Sequence, residues 1–108
     1  MAVEWREGSL TMDGTEQTVV EVTTENNVDG FVDLSPMAAG DTVEFKVYLK
    51  IKADGAYRLY ETAEFSGEQA KPLVYVHRRP VRYGWKLTAR QTAGTYRTFD
   101  YQFALTPV

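Results

Sequence analysis

The stretch Asp41-Thr42-Val43-Glu44-Phe45-Lys46-Val47-Tyr48-Leu49-Lys50-Ile51-Lys52 decides the fold class. Val43, Phe45, Val47, Leu49 and Ile51 alternate with Glu44, Lys46, Tyr48, Lys50 and Lys52. Successive side chains of a strand point to opposite faces, so this period of two predicts a β-strand with one buried face and one wet face. A second run, Ala56–Phe65, carries Tyr57, Leu59, Ala63 and Phe65 on one face.

The turn between the two runs is constrained by register. A two-residue Asp54-Gly55 loop would set Leu49 opposite Tyr60 and mix the faces. A three-residue loop, Ala53-Asp54-Gly55 with Gly55 left-handed, pairs Ile51 with Tyr57, Leu49 with Leu59, Phe45 with Ala63 and Val43 with Phe65. That register places Tyr48 and Tyr60 outward as a cross-strand pair. It also sets Glu61 against Val47 on the inner side, which calls for an open edge or a basic partner.

The same reasoning applied near the C-terminus predicts a second hairpin. Thr92-Ala93-Gly94 would join Val81–Gln91 to Thr95–Leu105, with Leu87 opposite Phe99, Trp85 opposite Tyr101, Tyr83 opposite Phe103 and Val81 opposite Leu105. Outside, Thr88 would meet Thr98 and Lys86 would meet Asp100, both favourable cross-strand combinations. Shorter strands are expected at Val3–Met12, Gln17–Thr23, Gly30–Leu34 and Leu73–His77, separated by turn signals at Asp13-Gly14, Asn26-Asn27, Asp29-Gly30, Gly40-Asp41 and Ser66-Gly67. Ser35–Gly40 reads as a crossing loop. The expectation is an all-β fold: an antiparallel β-sandwich, jelly-roll-like, of seven or eight strands.

Size supports one domain over residues 1–108. A chain of 12.3 kDa should expose about 6,100 Å² when folded and bury about two-thirds of its extended surface, enough for one core. No apolar run approaches the roughly 20 residues of a spanning helix. Met1–Glu7 has neither a basic start nor an apolar stretch, so no secretory leader is expected. The sequence has no cysteine, which leaves out disulfides, thiolate chemistry and Cys-based zinc sites.

Net charge is −3, but it is unevenly spread. Residues 1–33 hold eight acids and one base, Arg6, whereas residues 69–99 hold seven bases and no acid. The simplest reading is neutralisation within one fold. A sharper one is complementary surfaces on neighbouring copies, since charge complementarity sets register and steers association.

No constellation for catalysis emerges. His77 is the lone histidine, so a typical zinc or copper cluster cannot be assembled within the chain, and neither metal nor cofactor is expected. Ser9, Ser35 and Ser66 lie in no nucleophile elbow. Glu61, on an apolar face, lacks a visible second carboxylate. The segment His77-Arg78-Arg79-Pro80-Val81-Arg82-Tyr83-Gly84-Trp85-Lys86 is basic and aromatic, but the assigned register turns Tyr83 and Trp85 inward. That removes the stacking surface a nucleic-acid binder needs. Arg78, Arg79 and Arg82 are therefore expected to contact an acidic protein surface, and the outward Tyr48 and Tyr60 to pack on another chain or on sugars.

From about Asp13 to Leu105 the chain is similar to short β proteins of viruses of bacteria and archaea. The resemblance is carried by Val32-Asp33-Leu34-Ser35-Pro36-Met37-Ala38-Ala39-Gly40-Asp41-Thr42-Val43, by Gly55-Ala56-Tyr57-Arg58-Leu59-Tyr60 and by Gln91-Thr92-Ala93-Gly94-Thr95-Tyr96-Arg97-Thr98-Phe99-Asp100. It implies a virion structural component, such as a capsid decoration protein or surface subunit, and transfers no functional residue. The expected role is non-enzymatic assembly, by self-association or with a larger capsid protein, away from membranes and nucleic acid. A small carbohydrate- or protein-binding module is the alternative, and an enzyme ranks third.

Overall fold

The alternation of Val43, Phe45 and Val47 forms a strand with those three side chains buried and their neighbours half-exposed. The computed structural model describes residues 2–108. Among them lie β1 (Glu4–Thr11), β2 (Gln17–Val22), β3 (Asn26–Asp33), β4 (Thr42–Lys50), β5 (Arg58–Ser66), β6 (Leu73–Val81), β7 (Gly84–Ala93) and β8 (Thr98–Thr106). They make two four-stranded sheets, the first ordered β1-β8-β3-β6 and the second β2-β7-β4-β5.

The pairing is nested: β1 with β8, β2 with β7, β3 with β6 and β4 with β5, all antiparallel. Successive nested pairs fall in alternate sheets, and β3–β8 and β4–β7 contacts then zip each sheet together. This is a long hairpin rolled into a sandwich, the jelly roll. The expected fold class is thus the observed one.

The core lies between the sheets. Val20 and Val22 of β2, Val43, Phe45 and Val47 of β4, and Trp85 and Leu87 of β7 face Val28 and Val32 of β3 and Phe99, Phe103 and Leu105 of β8. Each such side chain contributes about 1.5–3 kcal/mol by leaving water. Trp85 and Phe103 meet across the sandwich with ring centroids 6.1 Å apart. The folded chain exposes 6315 Å², close to the size-scaling expectation.

The second hairpin does not exist. β7 and β8 lie in different sheets, so Leu87 and Phe99, or Trp85 and Tyr101, are not cross-strand partners. Thr98 instead meets Thr11, and Asp100 takes the hydroxyl of Ser9. Gly94 is left-handed as expected (φ 88°), but its turn carries the chain across the sandwich. Tyr83 lies in the turn between β6 and β7, half-buried, rather than on the inner face of a strand.

The β4–β5 hairpin keeps the expected register from Val43–Phe65 to Val47–Glu61, then shifts by one residue at a bulge. Tyr48 therefore opposes Leu59, and Leu49 opposes Arg58. Tyr48 and Tyr60 are not a pair. Gly55 is not left-handed; its N–H closes an ordinary turn on the Lys52 carbonyl at 3.0 Å. The bulge absorbs the odd residue that a left-handed glycine would otherwise accommodate. Glu61 does sit on an open edge, since β5 borders the second sheet and is exposed along nearly its whole length.

The crossings at one end are held by a buried polar group. Asp41, 1% exposed, accepts hydrogen bonds from Ala38 N (2.9 Å), Thr95 N (3.0 Å) and Arg97 Nε (2.7 Å). Buried Gln91 donates to the carbonyls of Ala93 and Thr95 and accepts from Arg97 N. The Arg97 guanidinium first, then the Ala38 amide, hold the Asp41 carboxyl below its ordinary range. A buried carboxylate persists where hydrogen bonds and a cation replace its water.

Candidate interaction surfaces

The outer face of the second sheet brings acids of the N-terminal third beside a base of the later strands. Pairing of β2 with β7 puts Glu21 opposite Lys86. Glu16 accepts hydrogen bonds from Thr88 Oγ1 (2.6 Å) and Tyr48 Oη (2.8 Å), and these, the first foremost, hold its carboxyl below the ordinary value. Donation to Glu16 correspondingly raises the Tyr48 phenol. Lys86 lies over the rings of Tyr48 and Tyr57, 5.1 and 4.8 Å from their centroids. Tyr57 donates to Glu21 at 2.7 Å, and burial together with that bond pushes its phenol up to about 12. Glu16 and Glu21 thus find hydroxyl donors in Thr88, Tyr48 and Tyr57, while Lys86 rests on the two tyrosine rings. Tyr48 is committed to this internal network.

Arg78, Arg79 and Arg82 stand apart from it. Edge strands β5 and β6 face each other along the open side of the sandwich. There Arg79 stacks over Tyr60 at 5.1 Å, bridging the two sheets. Its Nη1 donates to the Arg78 carbonyl (3.1 Å), while its buried Nε has no acceptor. Arg82 covers the Tyr83 ring at 5.1 Å. Among the described residues none of the three is ion-paired; the pairs are Arg6–Glu4, Lys46–Glu44 and Arg97–Asp41. The structure therefore brings Tyr60 to Arg79 and keeps Tyr48 away from both. A cleft of about 180 Å³ runs between the two edges over Phe45, Val47 and Phe65, with Glu61 and His77 also lining it.

The outer face of the first sheet carries residues that sequence reading passed over. Register aligns them in two rungs across four strands, Ser9–Asp100–Asp33–Leu73 and Glu7–Gln102–Phe31–Tyr75, and one across three, Trp5–Ala104–Asp29. The first rung, with Glu7, Gln102 and Phe31 of the second, borders a hollow of about 690 Å³. Phe31 and Tyr75 lie 5.1 Å apart and both are exposed, as are Leu73 and Trp5. Tyr75 donates to Asp29 at 3.0 Å, which raises its phenol. Asp33 and Asp100 oppose each other directly, an arrangement that costs stability between like charges. Asp33 accepts from the Ser35 amide and hydroxyl, and Asp100 from the Ser9 hydroxyl. No base stands on either of the two rungs. The signal in sequence was parity: Val74 and Val76 inward require Leu73 and Tyr75 outward.

No protein-family model matches the chain, and no curated protein matches it. A solved structure does: the crystal structure of the infectious bursal disease virus VP2 subviral particle, with a TM-score of 0.54 and 15% sequence identity. The likeness covers 98% of this chain and 32% of that one, so this chain spans about a third of its length. What the two share is the fold.

Proposed function

We propose that the chain is a non-enzymatic structural subunit of a virion, assembling with copies of itself or with a larger capsid protein as a decoration or surface component. The observation that carries this reading is the match of nearly the whole chain to part of a protein that forms a subviral particle. The nested jelly-roll topology, the unpaired arginines beside the β5–β6 edge and the acidic, apolar outer face of the first sheet support it. These are surfaces that neighbours in a shell could cover. Arg78, Arg79, Arg82 and Tyr60 belong to the proposed interface; Tyr48, hydrogen-bonded to Glu16, lies outside it.

A second reading, a carbohydrate- or protein-binding module, is favoured by the exposed Phe31–Tyr75 pair flanked by carboxylates and Gln102, since aromatic faces and fixed polar groups suit a sugar ring. Light scattering of the chain with and without salt, run beside a glycan array, separates the two. Assembly predicts salt-sensitive particles larger than one chain and no glycan signal. Glycan binding by a strict monomer, lost on Phe31→Ala or Tyr75→Ala, would replace it.

A further inference from the structure

Two features of opposite sign are left uncompensated in this fold. On the outer face of the first sheet, Asp33 and Asp100 oppose each other within a hollow walled by Phe31 and Leu73, with Glu7 on the next rung. At the far end of β6, Arg78 and Arg82 are exposed and without a carboxylate partner among the described residues. They cannot serve one another within one chain. Asp33 is level with Leu73 and Val28 is level with Arg79, and the five residue steps from Val28 to Asp33 along β3 span about 17 Å at 3.4 Å per residue.

We infer that the hollow receives the Arg78–Arg82 arm of a second copy of this chain. Arginine offers a planar fork of donors that binds a carboxylate through two parallel hydrogen bonds, and it packs on aromatic and aliphatic walls. The hollow presents both halves of that match, a carboxylate pair and an apolar rim of Phe31 and Leu73. Docking the arm would relieve the like-charge opposition of Asp33 and Asp100. Because hollow and arm are different patches of one surface, the contact either closes by two-fold exchange or propagates head to tail. Both outcomes suit a building block of a shell. The inference rests on the structural role proposed above and names the partner as the chain itself.

Charge exchange tests it. A face variant, Glu7→Lys with Asp100→Lys, leaves Asp33 to hold the Ser35 turn. An arm variant, Arg78→Glu with Arg82→Glu, reverses the other side. Sedimentation velocity at about 0.05 M salt, where charges act over more than about 10 Å, should show each variant associating at least tenfold more weakly than the parent. An equimolar mixture should recover association, since the unaltered arm of one meets the unaltered face of the other, and the reversed pair also matches. Should a lysine or glutamate variant unfold, the neutral variants Glu7→Gln/Asp100→Asn and Arg78→Gln/Arg82→Gln should still weaken association. Unchanged association in either reversal, or a mixture that stays monomeric, would overturn the inference. A parent chain that is monomeric alone but binds a preformed capsid shell would overturn it too, while leaving the structural role intact.

Discussion

Asp41 and Arg97, 56 residues apart in sequence, form an ion pair of 2.7 Å that ties the loop entering β4 to the crossing that enters β8. The same carboxylate also holds the amides of Ala38 and Thr95. One buried group therefore fixes two of the connections that make the sandwich a jelly roll.

Acid should loosen this tie. The folded Asp41 carboxyl is held below its ordinary value, so its contribution is complete above the unfolded value near 3.9 and is lost as pH falls through the folded one. Thermal unfolding followed by circular dichroism should be flat from about pH 8 to 5 and decline below about 4. Asp41→Asn should lower the melting midpoint at pH 7 by several degrees and flatten the acid decline.

The alkaline side has its own marker. The Tyr57 phenol is pushed up to about 12. Stability from its protonated form is present below the unfolded value near 10 and is lost as pH rises toward the folded one. Tyr57→Phe should reduce the loss of melting temperature between about pH 10 and 12. Ultraviolet titration should lack one late-ionising phenol in that variant.

Gly94 and Gly40 separate backbone strain from collision. Both are left-handed, with φ of 88° and 92°. A side chain at Gly40 meets open space, whereas one at Gly94 would overlap the Asp41 carboxylate and the Gly40 carbonyl. Gly40→Ala should cost about 1–2 kcal/mol, the conformational penalty alone. Gly94→Ala should cost clearly more, read by urea denaturation.

The strand topology can be trapped covalently, since the chain contains no cysteine. Thr11 and Thr98 lie side by side on β1 and β8, their hydroxyl oxygens 2.9 Å apart. Thr11→Cys with Thr98→Cys should oxidise to an intramolecular disulfide and raise stability by up to about 4 kcal/mol through the long loop it closes. Thr88→Cys with Thr98→Cys should not bridge within one chain. The reverse result would restore a β7–β8 hairpin.

That hairpin shows what strand patterns carry. Alternation in Gly84–Ala93 and Thr98–Thr106 reveals which side chains turn to the core, and Trp85, Leu87, Phe99, Phe103 and Leu105 are all buried. Parity is the same whether two strands lie side by side in one sheet or face each other across a sandwich, so it names the face and not the partner. The place of each strand and the β4–β5 register up to Val47–Glu61 were legible for that reason. The shift beyond it was not, because a bulge at Tyr60 leaves the local pattern nearly intact. Two strand ends were not legible either. β3 starts at Asn26 rather than Gly30, through residues whose Asn, Asp and Gly content reads as turns, and β6 runs on to Val81 rather than His77, through a basic stretch without alternation. Among the candidate surfaces, the basic arm was legible because Arg78, Arg79 and Arg82 fall within five consecutive residues. The hollow was not, since Ser9, Asp33, Leu73 and Asp100 come together only through pairing of four distant strands.

The mass of the unaltered chain in solution, measured by native mass spectrometry and sedimentation from micromolar to near-millimolar concentration, tests the assembly reading most directly. Assembly through opposed charges predicts multiples of 12.3 kDa at low salt, shifting toward the single chain as salt approaches about 1 M and screening shortens to about 3 Å. A single 12.3 kDa species at every concentration and salt, with no attachment to a viral shell, would contradict it.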